Sequence, residues 1–488
     1  MSVPESYLVE CREPVGYLDF ARYGPPVHAV VAETTRLLER SAQAGQSTVD
    51  DLMRQDLRAR SAVARLAGAG ADRVALLPNT STGLFQAASG LVGEVLVARG
   101  EFPANTYPWV RGSRARVRWL DPGPVTPEVV RAALTPGVTA VSVSAVDFRT
   151  GYRADLGALR DVIGDRVLVV DAIQGFGVVD EPWAAADVVV AGGQKWLRAG
   201  WSTGFAVLSD RALERVRPTL SGWTGAIDGG LFNDSLRPPS PDATAWSLTH
   251  LSPVAAGALA AAVELVESAG VPALNARIVQ RIAELAEAVH AAGGTVVSDR
   301  RRSAGILAFR LPDAPSAVVG AALARAGVTA TTRADHVRLS PHASTTAETI
   351  ALVAETLRTT HPAQHRSPAP APAAPAPVAS APAAPAPAAP VPSAPVPGVL
   401  PPDVGTYRRM LVERALAEVG VPVELMRKAH KARVVRYLDD AGLFQVRDSV
   451  GHVAAALGVT RFTIYNYLNE IRPRPAPGGA SGGTSGSE

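Results

Sequence analysis

The chain has 488 residues and a formal net charge of +3, and 47% of its residues are hydrophobic. This length predicts two to four domains, and the apolar fraction is ordinary for a globular protein. The single cysteine, Cys11, excludes a framework of disulfides within the chain and favours a reducing compartment. No signal-peptide pattern and no apolar run of about 18 residues is present, so we expect a soluble, cytoplasmic protein with no membrane partner.

Lysine is almost absent from this chain. Of the 48 basic residues, only Lys195, Lys428 and Lys431 are lysines. Arginine therefore occupies the positions at which any positively charged side chain would serve. Lys195 is the sole lysine before residue 428 and follows a strand-like run. This position favours a chemical role that arginine cannot fill over a solvated surface charge.

Residues 1 to about 360 alternate short apolar runs with helix-like stretches, which is typical of an α/β fold with a mainly parallel sheet. The runs that predict strands buried on both faces are 74–78, 94–99, 116–120, 139–146, 166–172, 187–193 and 204–209. The elements predicted for a second, smaller part are a helical stretch near 252–292, strands at 305–311 and 336–340, and a helix from about 346. Thr345 and Glu348 have the spacing of a capping box at the start of that last helix.

Composition divides the chain further. We place a large domain at about 15–250 and a small domain at about 251–360, the latter together with the N-terminal segment. From 361 to 402 the chain is a Pro/Ala-rich segment that cannot bury a core and predicts a disordered, semi-rigid polyproline II linker. Residues 403–475 therefore form an independent module, and 476–488 are predicted to be a disordered tail.

Two polar residues follow neighbouring strand-like runs. Asp171 ends one run, and Lys195 follows the next one along the chain. Parallel strands deliver their carboxyl ends to one crevice, so we expect both side chains to face the same site. Chemistry with pyridoxal 5′-phosphate (PLP) requires this pair, because the lysine holds the aldehyde as a Schiff base and the carboxylate keeps the pyridine nitrogen protonated. Viewed alone, Asp171 has an alternative role as the N-cap of a helix.

A third feature lies upstream of this pair. The segment NTSTG, residues 79–83, follows a predicted strand and opens an apolar helix. Backbone N–H groups at a helix N-terminus and Ser or Thr hydroxyls form a cradle for a phosphate. Any strand-to-helix turn also favours these residue types. The order of phosphate loop, aspartate and lysine supports PLP as the cofactor.

Residues 15–360 resemble the class V aminotransferase superfamily of fold type I PLP enzymes, and within it the isopenicillin N epimerase-like and kynureninase-like branch. The matching segments are NTSTG (79–83), EFPANTYPW (101–109), VDFRTGYRADL (146–156), DAIQGFG (171–177), GGQKWL (192–197), STGF (202–205), SGWTG (221–225) and VRLSPH (337–342). They occur in the order of the family, which specifies the superfamily but not a substrate. The resemblance implies a mainly parallel sheet with a small α+β domain.

The resemblance implies a role for each matching residue of the cofactor site. Ser81 and Thr82 fall where the family binds the cofactor phosphate. Phe102 matches the aromatic residue that stacks on the pyridine ring, with a core position as the alternative. Asp171 matches the partner of the pyridine nitrogen, and Gln174 the donor to the phenolic oxygen of the ring.

The remaining implied roles concern the phosphate, a second subunit and the substrate. Gln194, where relatives often have His or Tyr, reaches the phosphate, and Lys195 carries the cofactor. Thr203 resembles the residue that touches the phosphate of the neighbouring subunit, which implies a homodimer with shared sites. Arg338 matches the arginine that pairs bidentately with a substrate α-carboxylate, a geometry that lysine cannot supply.

The sequence also argues against one subclass. Cysteine desulfurases of this superfamily use a nucleophilic cysteine on a loop shortly before the region that matches VRLSPH. Here that stretch, AGVTATTRADHV (326–337), contains no cysteine, so we do not expect persulfide chemistry. Transamination, epimerisation and C–S or C–C cleavage stay open, all through an external aldimine. The histidines show no metal-ligand spacing, so we predict no metal site.

The last module contains a helix-turn-helix pattern in VAAALGVTRFTIYNYL, residues 453–468. Gly458 supplies the turn, and Ile464 and Leu468 form the buried stripe of the second helix. The outward residues, of types that contact phosphates and base edges, are Arg461, Thr463, Tyr465, Asn466 and Asn469.

Residues 442–471 resemble the C-terminal DNA-binding domain of the DauR/YheO-like transcriptional regulators. This resemblance implies double-stranded DNA as a partner, with a three-helix protein-interaction module as the alternative.

Two classes of function follow. In the first, the chain is a PLP-dependent enzyme that acts on an amino acid and carries a DNA-binding tail. In the second, it is a transcriptional regulator whose PLP domain senses an amino acid or PLP without net turnover.

Overall fold

The computed structural model describes residues 2–43, 45–231, 233–360, 404–421, 423, 426–445, 449–459, 463–464 and 467–468. The chain divides into two compact units, Met1–Pro370 and Ala371–Glu488. The predicted linker at 361–402 and the predicted tail at 476–488 lie outside the described residues.

A seven-stranded sheet forms the centre of the first unit. Its strands are β1 (Val74–Leu77), β2 (Glu94–Ala98), β3 (Arg116–Leu120), β4 (Val138–Ser144), β5 (Val167–Asp171), β6 (Val188–Gly192) and β7 (Gly204–Leu208). Their order across the sheet is β1-β7-β6-β5-β4-β2-β3. Strand β7 is antiparallel to β1 and β6, and the other neighbours are parallel. The predicted α/β fold with a mainly parallel sheet is confirmed.

Helices cover both faces of this sheet. Those of the first unit are α1 (Glu5–Leu8), α2 (His28–Ala42), α3 (Gln46–Ala67), α4 (Thr80–Gly90), α5 (Tyr107–Arg111), α6 (Pro127–Ala133), α7 (Leu156–Ile163), α8 (Asp210–Arg215), α9 (Pro253–Ala269), α10 (Val271–Ala291), α11 (Ser316–Arg325) and α12 (Ala347–Thr360). Along β5, Leu168 and Val170 share a core with α3 and α9, whereas Val167 and Val169 share a core with α4. Every residue of β5 is buried, as expected for a strand with helices on both sides.

A second, four-stranded sheet follows in the chain. Its strands are β8 (Thr295–Val296), β9 (Leu307–Arg310), β10 (Thr331–Thr332) and β11 (Val337–Leu339), in the order β10-β11-β9-β8. All of its neighbours are antiparallel. The N-terminal segment joins it, because Asp19 forms a bridge with Ser340 next to β11.

The second unit is helical in its described residues. Its helices are α13 (Val404–Val419), α14 (Lys428–Asp440) and α15 (Ser449–Ala456). Gly458 follows α15 with a φ of 60°, a left-handed conformation that suits glycine at a turn. Ile464 and Leu468 are buried in the core of this unit, as the sequence pattern predicts.

Within the described residues, no single helix is both long and apolar enough to cross a bilayer, although α9 and α10 together meet the length and composition test as a pair bent by 81°.

Candidate functional site

The candidate site lies at the carboxyl ends of the parallel strands. Asp171 is the last residue of β5, and Lys195 follows the end of β6 by three residues. Asp171 pairs in register with Val190 of β6 on one side and with Ser144 of β4 on the other. Because parallel strands end at the same edge, the fold brings this carboxylate and this lysine to one cleft.

Lys195 is half-buried in this cleft. Its Nζ lies 5.5 Å from the centroid of the Phe102 ring, and no hydrogen bond or ion pair engages it among the described residues. Burial lowers the pKa of Lys195 to about 8; the charge of Asp171 opposes this shift and that of Arg338 adds to it. A lysine with this pKa is partly neutral near physiological pH, as a nucleophilic amine must be.

Asp171 is almost fully buried, with 3% of its surface exposed. Its Oδ1 accepts a hydrogen bond from the backbone N–H of Ile173 at 3.1 Å. Burial raises the pKa of Asp171 to about 6, while that hydrogen bond and the charge of Lys195 oppose the shift. Near neutral pH this carboxylate is therefore mostly ionised, and a positive partner would stabilise it.

Phe102 is not a core residue, and that alternative was wrong. Its side chain is 40% exposed, and its ring packs edge-on against Phe148 at 5.1 Å between centroids. The ring therefore lies exposed beside Lys195, directly before the short helical turn at Pro103–Asn105.

The start of α4 presents hydroxyl groups to the same edge. Asn79 caps the helix, since its side chain accepts from the backbone N–H of Thr82 at 3.0 Å. Ser81 is exposed and Thr82 is half-buried. Thr80 Oγ1 is buried and has no hydrogen-bond partner among the described residues. The sequence analysis named Ser81 and Thr82 but missed the Thr80 hydroxyl.

Gln194 lies against the start of this helix. A Cβ built on Gly192 would overlap Gln194 Oε1 and would lie 3.0 Å from Thr80 Oγ1. The two side chains therefore pack closely around Gly192, and a larger residue there would push against both of them. This arrangement suits the phosphate position implied for Ser81, Thr82 and Gln194.

Gln174 is buried and held by the protein itself. Its Nε2 donates to Ala21 O at 2.9 Å, and its Oε1 accepts from Trp196 Nε1 at 2.7 Å. An amide nitrogen has two N–H groups, so a second donor is left for the implied contact with the cofactor. Trp196, next to Lys195, was missed as the residue that fixes this amide.

Thr203 is directed into its own loop. It is 1% exposed, and its Oγ1 donates to Gly200 O at 2.7 Å. Its side chain is thus not brought to the outer surface, where its neighbour Trp201 is 67% exposed. The contact of Thr203 with a second subunit stays a prediction.

Arg338, on β11, reaches the cleft from the second sheet. It is 2% exposed. Its Nη1 donates to Phe148 O at 2.6 Å, and its Nη2 donates to Asp19 Oδ1 at 3.1 Å and to Thr331 Oγ1 at 3.0 Å. Among the described residues its buried Nε has no partner. Burial lowers the pKa of Arg338, while Asp19 opposes the shift.

Two carboxylates at this site were missed. Asp19 pairs with Arg338 although 319 positions separate them, so only its apolar neighbours Leu18 and Phe20 could have indicated a buried acid. Glu101 accepts from the backbone N–H of Ser144 at 2.8 Å. Burial raises the pKa of Glu101 to about 7, and the charge of Asp171 adds to this shift.

These groups fit PLP, which carries an aldehyde, a pyridine nitrogen and a phosphate. A lysine without a hydrogen-bonding partner, an almost fully buried carboxylate and an exposed aromatic face share one cleft with a helix start whose buried Thr80 hydroxyl has no partner among the described residues. Each group of the cofactor thus finds a matching side chain. In the same described ranges, no cluster of three His, Cys, Asp or Glu side chains is arranged to hold a metal ion.

Most of the predicted DNA-contacting residues lie outside the described residues, namely Arg461, Tyr465, Asn466 and Asn469. Thr463 is described, and it is helical and half-buried.

Curated proteins similar to this chain include kynureninases. The chain is 31% identical to the kynureninase of Deinococcus radiodurans over 39% of its own length and 47% of that protein. It is 27% identical to the uncharacterized aminotransferase YcbU of Bacillus subtilis over 35% of its own length and 49% of that protein. The chain therefore spans about half the length of these relatives.

Solved structures share the fold of the first unit. A cysteine desulfurase from Thermococcus onnurineus in its apo form has a TM-score of 0.66 at 17% identity, covering 74% of this chain and 98% of that one. The cystine C–S lyase C-DES, in complex with cysteine persulfide, has a TM-score of 0.65 at 17% identity, covering 71% of this chain and 98% of that one. At this identity the likeness shows the fold alone.

Family models assign both units. Residues 409–469 match a helix-turn-helix (HTH) domain. Residues 17–358 match Aminotransferase class-V. The chain therefore belongs to the class-V aminotransferase family, and this membership indicates pyridoxal phosphate as its cofactor.

Proposed function

We propose that this chain is a PLP-dependent enzyme that transforms an amino acid and carries a DNA-binding module. The observation that carries the proposal is the placement of Lys195 and Asp171 at the ends of adjacent strands, with the exposed ring of Phe102 5.5 Å from Lys195 Nζ. This placement is the arrangement that PLP chemistry needs, and family membership supports it independently.

The residues that would hold the cofactor surround Lys195. Thr80, Ser81, Thr82 and Gln194 would bind its phosphate at the start of α4, and Phe102 would cover its ring. When bound, PLP supplies an electron sink for the bonds at the α-carbon of an amino acid.

Lys195 and Asp171 divide the proton chemistry of the site. With a pKa of about 6, Asp171 is ionised near neutral pH and can keep a proton on the pyridine nitrogen. Lys195 Nζ, with a pKa of about 8, can give up and take back a proton near the same pH. The same amine is therefore suited to act as the general base and acid of the reaction.

Arg338 would orient the substrate. Its Nε is a buried donor with no partner among the described residues, so a substrate carboxylate would satisfy it. The bidentate geometry implied by the family requires a second N–H on the same guanidinium. Asp19 and Thr331 engage Nη2 in this conformation, so we infer that substrate binding shifts one of these bonds.

The reaction class stays open within this proposal. Transamination, epimerisation and C–S or C–C cleavage need the same lysine and the same carboxylate. Because kynureninases are among the relatives, kynurenine belongs in the first set of compounds to test. The absence of cysteine from residues 326–337 argues against a persulfide mechanism.

The experiment that tests the proposal uses Lys195→Ala. Purified wild-type protein supplied with PLP should be yellow, and borohydride should fix the cofactor on the peptide that contains Lys195. Because no other lysine precedes residue 428, mass spectrometry of that peptide is unambiguous. The variant should bind PLP reversibly without the fixed mass. A wild-type protein that retains no cofactor after reduction would refute the proposal.

The HTH domain supports a second candidate function. In this alternative the chain is a DNA-binding transcriptional regulator in which the PLP site senses an amino acid or PLP without turnover. The same residues would bind the ligand, so the site does not discriminate. A screen for products with each amino acid, together with a DNA mobility assay with and without that amino acid, distinguishes the enzyme from the regulator.

We also propose that the protein is a cytoplasmic homodimer. Large apolar side chains are exposed between α8 and α9, among them Trp223 at 47%, Leu231 at 58% and Leu236 at 104%. Exposed groups of this kind commonly mark a protein interface. Sedimentation at micromolar concentration should give twice the mass of the chain, and a monomer would contradict this assembly.

A further inference from the structure

A group of arginines lies beside the Lys195 cleft. Its centre is Phe148, whose ring touches Phe102 at 5.1 Å between centroids and whose backbone oxygen accepts from Arg338. The Cζ of Arg333 lies 5.4 Å from the centroid of the Phe148 ring, and the Cζ of Arg149 lies 5.6 Å from it. Two guanidinium groups therefore rest on the aromatic residue that adjoins the site.

Two arginines of this group already have carboxylate partners. Asp19 pairs with Arg338 and Asp147 pairs with Arg149, each at 3.1 Å. The acid next to Arg333 in the chain, Asp335, is also engaged, since it pairs with Arg310 and with His336, each at 2.9 Å.

Among the described residues Arg333 lacks such a partner, and its Nε is buried without a hydrogen-bond partner. Burying a charged donor without a partner costs free energy, which a ligand that accepts from it would recover. Arg333 is also close to the proposed carboxylate site, because its guanidinium lies over the ring of Phe148 and Arg338 donates to the backbone oxygen of that same residue.

The backbone holds Arg333 at this place. It follows β10, and its N–H donates to His336 O at 2.8 Å in the turn that leads into β11. Arg333 and Arg338 thus emerge from one short hairpin. A ligand bound at Lys195 and Arg338 would meet Arg333 with a more distant part of its structure.

We propose that Arg333 selects amino acids whose side chain ends in a carboxylate, with Arg338 taking the α-carboxylate and Arg333 the distal one. This inference rests on the proposed function, since it names the substrate class of the same site. A carboxylate satisfies an unpaired guanidinium better than an amide does, because it brings both the opposite charge and two acceptors.

The test compares acids with their uncharged isosteres. Calorimetric titrations of the full-length, PLP-loaded protein would use L-aspartate and L-asparagine as one pair and L-glutamate and L-glutamine as the other. In the wild type we expect the better acid to bind about 10- to 100-fold more tightly than its amide, the range that one charge-assisted hydrogen bond supplies.

The variants then assign this preference to Arg333. In Arg333→Gln the ratio between acid and amide should fall close to one, and Arg333→Lys should keep part of it because it keeps the charge. The matched control is Arg325→Gln, which removes an exposed arginine at the end of α11 and should leave the ratio unchanged. Unchanged circular dichroism and bound-PLP absorbance in each variant establish that the site is intact.

The outcomes separate this inference from the proposed function. Equal binding of acids and amides by the wild type overturns the role of Arg333, as does an acid preference that survives in Arg333→Gln. Binding of a neutral amino acid but of neither acid also overturns it and leaves the proposed function standing. If no amino acid binds the PLP-loaded protein, the proposed function itself fails.

Discussion

Arg338 donates to the carboxylate of Asp19 across 3.1 Å, where the two side chains are only 3% and 4% exposed. The pair joins the N-terminal segment to β11 at the edge of the Lys195 cleft. Thr331 Oγ1 also donates to Asp19 Oδ1, at 2.7 Å. One carboxylate oxygen therefore holds two side chains of the second sheet in place.

Removing Asp19 should destabilise the first unit strongly. Asp19→Ala leaves the Arg338 charge buried without its counterion, which costs about 3–5 kcal/mol, with the remaining bond to Phe148 O favouring the lower end. Asp19→Asn keeps an acceptor and should cost less. All seven tryptophans lie before residue 250, so their fluorescence in a denaturant titration reports on this unit alone.

The control for this prediction is an exposed ion pair. Arg358 and Glu355 are 69% and 59% exposed, so Arg358→Gln should change the free energy of unfolding by no more than about 1 kcal/mol. A loss from Asp19→Ala as small as that from the control would mean that the buried pair contributes little.

The pKa of Lys195 predicts how the apoprotein takes up PLP. The neutral amine forms the covalent bond, and burial lowers the pKa of Lys195 to about 8 from the usual 10.5. The rate of uptake, followed by absorbance, should therefore rise with pH and level off above about 8. A rate that still climbs at pH 10 would show that the amine is not perturbed, and Lys195→Ala supplies the baseline.

Much of the fold could be predicted from periodicity. Every strand that the apolar runs predict is present, with ends within one or two residues, because continuous Val-rich runs are typical of buried parallel strands. Burial on both faces was wrong for β3, which lies at the edge of the sheet with Arg116 and Arg118 exposed. The two-residue strands β8 and β10 were missed, since such short elements leave no pattern.

The capping box at Thr345 was wrong by one position. The residue that accepts from the helix is Thr346, through the N–H of Thr349, whereas the Thr345 hydroxyl accepts from His342 N.

The site could be predicted only for residues whose place next to a strand is visible in the sequence. Lys195 and Asp171 were found because Asp171 ends β5 and Lys195 follows β6, and the ends of these strands meet at one edge of the sheet. Asp19 was not, because its partner is remote in the chain and pairing across the fold leaves no local signal. For Gln174 and Thr203 the sequence match to the family does not reveal where the side chain points. In the structure their polar atoms donate to the backbone oxygens of Ala21 and Gly200.

Glu101 should make the stability of the apoprotein depend on pH. Its pKa is raised from 4.5 to about 7 in the folded state, so the folded protein binds a proton more tightly than the unfolded chain does. The free energy of unfolding should therefore fall by about 1–3 kcal/mol as the pH rises between these two values, with no further loss above them.

Glu101→Gln tests this pH dependence. The variant keeps an oxygen that can accept from Ser144 N and has no proton to lose, so its stability should lack this fall. Tryptophan fluorescence in urea at several pH values measures both proteins, with Glu355→Gln at an exposed position as the control. Parallel pH profiles for wild type and Glu101→Gln would contradict the shift.

The full-length protein should bind double-stranded DNA with an affinity that falls steeply with salt. Each phosphate contact releases about one counterion, so Arg461→Ala should reduce the slope of log affinity against log salt by about one. Arg436, exposed on α14 and outside the predicted contact face, is the matched control. An unchanged slope for Arg461→Ala would remove this residue from the DNA contacts, and a chain ending at residue 365 should not bind DNA.

The last prediction distinguishes an enzyme with a DNA-binding tail from a regulator that senses its ligand. If the PLP site is a sensor, an amino acid that binds there must change the affinity for DNA, and DNA must change the affinity for that amino acid by the same factor. If the chain is an enzyme with a tethered module, the two affinities should be independent, because the Pro/Ala-rich segment supplies only effective concentration. We expect independence together with turnover. The measurement is a DNA titration of the PLP-loaded chain with and without amino acid, repeated with Arg338→Lys to weaken binding of the amino acid at the site. A tenfold or greater change that disappears in the variant would establish sensing, and it would do so even if slow turnover were also present, since reciprocity applies to binding and not to rates.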